Sequence, residues 1–165
     1  MADNEPTVVA RTAQQYVGAR HTVTMETLAG VADRIPDLIQ VLATRFVPPA
    51  GAPFFRYISI DMDGDLVVEA GVPIDGSIDV ADGMYVGTLP AGRFATTTHQ
   101  GHPDELRDAT TRLLEWADAQ GLEFDMRSTP EGEQWGCRLE TYFTDPRIEP
   151  DMHRWVTELA FRLAD

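Results

Sequence analysis

The sequence predicts an α+β fold in which an antiparallel sheet carries two helices on one face, and three observations point there. Stretches rich in β-branched and aromatic residues, among them PFFRYISI at 53–60 and WGCRLETYFTDP at 135–146, are bounded by Gly, Pro and Asp turn signals. Two longer stretches, 24–46 and 103–120, space their apolar residues three and four apart instead. The order of the elements also repeats, each half running strand, helix, strand, turn, strand.

Residues 1–6 are polar and expected to fray. Gln15–Val23 has the β-branched content of a strand. The stretch from Thr24 to Phe46 places apolar residues at 25, 28, 31, 35, 38, 39, 42 and 46, one helical stripe. Thr24 is the expected N-cap, with Thr27 at the capping-box position, and Pro36 should kink the helix or restart it after Ile35. Strands follow at Pro53–Ile60 and Asp65–Ile74 around an Asp63-Gly64 turn, then a loop over 75–83, then strands Met84–Leu89 and Gly92–Gln100. Pro103–Gln120 reads as the second helix, with Gly121 at C′. Leu122–Gln134 is polar and carries no clear pattern. The stretch Trp135–Pro146 is read as one strand and its turn, and Trp155–Leu163 as a last strand or a short helix.

Alternation along the 135–146 strand divides its residues between two faces. Trp135, Cys137, Leu139, Thr141 and Phe143 form an apolar face expected to pack on the helices, with Cys137 an inert core thiol. Arg138, Glu140 and Tyr142 form the other, where Glu140 and Tyr142 are a ligand-contact pair or Glu140 merely meets Arg138 on an exposed strand.

Aligning the halves sets PFFRYISIDMDGDLVVEAGVPI against RLETYFTDP and WVTELAFRL, and YVGARHT against RFATTTHQ. Tyr57 then matches Tyr142, Phe55 matches Glu140 and Glu69 matches Glu158. Similar halves pack about a pseudo-twofold and leave a cleft. Phe55, Tyr57, Glu140 and Tyr142 should converge on the side that the helices leave uncovered. One domain spans 1–165, with repeats over about 8–75 and 84–165.

Composition narrows the functions. The 27 acids against 13 bases give a net charge of −14, which argues against a polyanionic partner, since phosphates need clustered Lys and Arg. No nucleic acid is expected as a direct partner. The N-terminal MADNEPTVVA has no basic n-region or apolar h-region, and no apolar run reaches membrane-spanning length. One cysteine fits a reducing compartment. A cytoplasmic protein with no membrane partner is the expectation. The His99, His102 and Asp104 set is too sparse for a metal site, Ser59 and Ser77 lack a nucleophile elbow, and no cofactor is expected.

From about Val8 to Leu163 the sequence resembles the GyrI-like effector-binding family. The residues that carry the likeness are PFFRYISIDMDGDLVVEAGVPI, LPAGRFATTTHQG, LLEWADAQG and WGCRLETYFTDP with WVTELAFRL. The Glu-x-Tyr followed closely by Asp-Pro is its most specific piece. The resemblance implies a duplicated strand-helix-strand-strand (SHS2) fold with a ligand cleft between its halves, and an acid, here Glu140, that faces lipophilic cations amid aromatic rings. The chain departs from the family's regulators in carrying no DNA-binding domain. It also departs in having Thr22 and His99-Gln100-Gly101-His102 where many members keep a basic-Gly-Pro-Tyr stretch.

The leading functional expectation is therefore a binding module for planar, lipophilic, cationic small molecules. Glu140 supplies the counter-charge, and Tyr142, Tyr57, Phe55 and Trp155 or Trp135 the walls. Trp135 is the weaker tryptophan, its parity being that of the core face unless it ends the strand. Glu69 and Glu158 are candidates for a second acid, or solvated edge-strand residues, and Arg20 completes the candidate set. The alternative is a hydrolase that opens cyclopropanoid alkylating compounds, with Glu140 as general base and Tyr142 beside it. A third reading is a gyrase-inhibitor-type protein partner presenting an acidic surface.

Overall fold

In the computed structural model the described residues are 5–61 and 63–165, so the expectation for residues 1–4 lies outside them. Among these, ten strands join one antiparallel sheet. They are β1 (Thr7–Arg11), β2 (Gln14–Val23), β3 (Phe54–Ile60), β4 (Leu66–Pro73), β5 (Tyr85–Leu89), β6 (Gly92–Gln100), β7 (Met126–Thr129), β8 (Gly132–Trp135), β9 (Arg138–Tyr142) and β10 (Val156–Arg162). Two helices, α1 (Arg34–Thr44) and α2 (Leu106–Ala119), complete the α+β fold. No helix among the described residues is long and apolar enough to cross a membrane.

The strand order is β1-β6-β10-β9-β3-β4-β2-β5, with β8 also paired to β3 and β7 to β8. The duplication is visible in it. The run β2-α1-β3-β4 is followed by β6-α2-β9-β10, and the two trios of strands meet at the β3–β9 pair, where Phe55 lies directly opposite Glu140. Pairing continues outward from that point, Phe55 to Ala70 to Ala19 on one side and Glu140 to Leu159 to Thr97 on the other. These residues form one row across the sheet and share a face.

Both faces bury a core. On the helix side, Leu38 and Leu42 of α1 and Leu106, Ala109 and Leu113 of α2 pack with Val17, Val68, Val72, Phe55, Leu159 and Phe161. The second core, Tyr16, Phe54, Leu89, Phe94, Cys137, Leu139 and Ala160, contains no helix residue and draws in Val9 of β1 and Tyr85 of β5. Strands from both ends of the order meet there, so the sheet curls until its own outer strands cover that face. Gly71 makes room for this packing, since a Cβ there would run into the Phe54 ring.

The structure revises several local expectations. The 24–46 stretch is a turn, a 3-10 segment Leu28–Asp33, and then α1, so the helix begins at Arg34 and not after Ile35. Pro36 sits in its first turn, where a missing N–H breaks no helical bond. Thr24 donates its backbone N–H to Thr27 Oγ1 at 2.8 Å, but this closes the preceding turn and does not cap a helix. The second helix starts with a 3-10 turn at Pro103–Glu105, and Gly121 takes the left-handed conformation expected at C′, with φ 72°. The patternless 122–134 region contains the β7–β8 hairpin, and β1 precedes the first expected strand.

The largest correction concerns 135–146, which is not one strand. β8 ends at Trp135, Gly136 and Cys137 form a break, and β9 starts at Arg138. Three contacts hold the break. Gly136 donates to the Asp125 carbonyl at 2.8 Å, Arg162 donates its backbone N–H to the Cys137 carbonyl at 2.8 Å, and Arg56 Nη2 donates to the Gly136 carbonyl at 2.9 Å. The break uncouples the parity of the two strands. Trp135 therefore joins the helix-side core, whereas Cys137 and Leu139 join the helix-free one, and Phe143 is exposed. In consequence Glu140, Tyr142, Phe55 and Tyr57 lie on the helix-bearing face. They occupy the middle of it, because α1 packs on β2 and β4 while α2 packs on β6.

Candidate functional site

β9 presents Arg138, Glu140 and Tyr142 on this face, and β3 sets Phe55 and Tyr57 beside them. The Tyr142 hydroxyl donates to Glu140 Oε1 at 2.8 Å, and the Tyr57 hydroxyl donates to the same oxygen at 3.1 Å. Phe55 stands edge-on to Tyr142, with ring centroids 5.2 Å apart, and to Tyr57 at 6.5 Å. Phe55 and Tyr57 are buried, while Glu140, Tyr142 and Arg138 are half-buried, so the carboxylate borders both the aromatic cluster and the outside.

Burial dominates the electrostatics. It raises the Glu140 carboxyl above the ordinary glutamate range, against the two phenol hydrogen bonds and the Arg138 charge, which favour the anion. Burial also holds the Tyr57 and Tyr142 hydroxyls well above their usual value, reinforced by the neighbouring Glu140 charge. Both phenols therefore stay protonated and remain donors. Arg138 lies over three rings, 4.5 Å from the Phe161 centroid, 4.7 Å from Trp135 and 5.8 Å from Tyr57. Burial lowers its guanidinium from the usual arginine value, which Tyr57, Glu140 and Glu133 counter.

The remaining candidates divide by face. Trp135 ends β8, packs edge-on against Phe161, and backs the site through Arg138. Trp155 has the parity of the Glu140 face and stands two residues before Thr157, the partner of Tyr142; its indole donates to the Glu149 carbonyl at 2.7 Å. Glu69, Glu158 and Arg20 point to the opposite face. Glu69 is no solvated edge residue, because β4 lies inside the sheet and its carboxylate is 0% exposed. It accepts from the Tyr16 hydroxyl at 2.8 Å, with Arg20 at 3.6 Å and Arg56 at 3.8 Å. Glu158 pairs with Arg11 at 2.8 Å, and Arg20 lies over Tyr85. His102 caps the second helix, its Nδ1 accepting from the Asp104 N–H at 3.0 Å. The residue that sequence reasoning undervalued is Arg138. Its position two before Glu140 marks it as a charge partner, but its stacking depends on Phe161 and on the β8–β9 break.

The duplicated β-α-β-β sheet with its two helices is the fold of a class of small-molecule-binding domains. The chain belongs to that class: residues 4–164 match the family of GyrI-like small molecule binding domains. No curated protein matches it in sequence. Solved structures similar in fold include the EcmrR C-terminal domain, 17% identical with TM-score 0.76 over 98% of both chains. SAV2435 bound to tetraphenylphosphonium is 15% identical with TM-score 0.69, over 98% of this chain and 94% of that one. A hydrolase from Listeria innocua is 10% identical with TM-score 0.63, over 99% and 94%. The chain spans 57% of the length of EcmrR as seen in its complex with DNA.

Proposed function

We propose that the face between α1 and α2 binds planar, lipophilic, positively charged small molecules, with Glu140 as counter-charge and Phe55, Tyr57, Tyr142 and Trp155 as apolar contacts. One observation carries this reading. Both phenols bond to Oε1 of Glu140, which fixes the carboxylate among aromatic rings and leaves Oε2 to a ligand. A cation there gains a Coulomb attraction that water would screen, together with contacts to aromatic faces of about 0.5–2 kcal/mol each. Such contacts make few demands on shape, so several related compounds should fit. The family match supports small-molecule binding, and the tetraphenylphosphonium bound to a structural neighbour supports a lipophilic cation, although that cation is tetrahedral and not planar. Hydrolysis is not favoured: the raised Glu140 carboxyl would suit a general base, but the family match and the ligand-bound neighbour support binding. The test is fluorescence titration with rhodamine 6G. Micromolar binding that weakens about tenfold, or ~1.4 kcal/mol, in Glu140→Gln is the expected result. Binding of equal strength in the variant would refute the assignment.

A further inference from the structure

Arg138 is a cation already resident in the site. Its guanidinium lies over Phe161, Trp135 and Tyr57, and among the described residues no acceptor takes its N–H groups. The ring of Tyr57 lies beneath Arg138 while its hydroxyl bonds Glu140, so one side chain couples the two charges. On one face of a strand, residues two apart are separated by roughly 7 Å, about the width of a two-ring aromatic frame. We infer that Arg138 gives the site a second recognition element, so that it favours planar ligands bearing a carboxylate or another acceptor beside their positive charge over bare lipophilic cations. The inference rests on the proposed role of Glu140 as the counter-charge.

Two physical effects combine. A ligand with positive charge alone must approach a guanidinium that already holds the aromatic faces and shares the field of Glu140, and like charges repel. A ligand that also carries an acceptor turns the same guanidinium into a partner, because its planar fork of donors matches a carboxylate. Glu140 and Arg138 then read opposite ends of one molecule. Neither could do so from the other face of β9, where Leu139 is buried in the second core.

Rhodamine 6G and its free acid share one xanthene cation and differ in an ethyl ester against a carboxylate, so fluorescence polarisation with both dyes isolates the effect. Wild-type protein should bind the acid about fivefold or more tightly than the ester. Arg138→Gln should reverse that order, tightening the ester and weakening the acid, while Arg138→Lys should keep only part of the preference. Glu140→Gln should weaken both dyes. Equal or tighter ester binding by the wild type would overturn the inference, as would a change at Arg138 that moves both dyes alike. The wild-type ratio decides even where a variant fails to fold. Indifference of both dyes to Glu140→Gln would strike at the counter-charge reading instead, which keeps the two failures apart.

Discussion

Glu140 carries two opposite pH dependences. Its carboxyl is raised by burial in the fold, so the folded state holds this proton more tightly than the unfolded chain does. Stability from this group is therefore full below the ordinary glutamate pKa and is lost as pH climbs through the raised value. Glu140→Gln, which keeps an oxygen for both phenols, should melt higher than wild type at neutral pH, and the difference should vanish in acid. Calorimetry across that range checks it. With Glu140 in the proposed role, cation affinity should run the other way, falling as acidification neutralises the carboxylate, and the variant should lack that slope. Cys137 gives a further residue-scale expectation. Burial pushes its thiol up to about 11, and it is 0% exposed. A thiol reagent should leave it untouched in the native protein and label it once the chain unfolds. The aromatic-acid group was legible in the sequence, because matched strands put Phe55 with Glu140 and Tyr57 with Tyr142. The place of Arg138 was not legible, since Phe161 comes to it from another strand.

At the scale of elements, the β8–β9 break matters most. Simple alternation from Trp135 onward puts Trp135, Cys137 and Leu139 on one face, but Gly136 resets the count. The cause is long-range: the Asp125 backbone, the Arg162 backbone and the Arg56 side chain each hold a group of the break. Asp125 occupies the space that a side chain at Gly136 would need. Gly136→Ala should therefore cost about 1–3 kcal/mol in denaturant unfolding. It should also weaken dye binding, by shifting Trp135 against Arg138. The helices were legible by period, whereas the β7–β8 hairpin was not, because its residues are largely polar and half-exposed. By sequence alone Pro36 marks an interruption, but it fits the opening turn of α1.

Across the whole molecule, duplication explains the fold and also where the halves differ. Glu69 pairs across the sheet with Arg56, and Glu158, at the matched position, pairs with Thr141. The first carboxylate is fully buried between Tyr16 and two arginines, while the second is 21% exposed beside Arg11. Removing one member of a buried charged network strands the other, so Glu69→Ala should cost about 3–5 kcal/mol. Glu158→Ala should cost about 1 kcal/mol or less, by the same unfolding measurement. The repeat in the sequence revealed these matched positions and the antiparallel sheet with two helices. It did not reveal that the sheet buries a second core, because curling depends on how its outermost strands, β1 and β5, come together.

The proposed ligand site is formed by Glu140 and its aromatic neighbours on the helix-bearing face. A crystal structure of the protein with rhodamine 6G tests it most directly. The expected result is the xanthene against Phe55, Tyr57 and Tyr142, with a charged nitrogen within hydrogen-bonding distance of Glu140 Oε2. An ordered dye on another surface, with the Tyr57–Glu140–Tyr142 group unchanged, would contradict it.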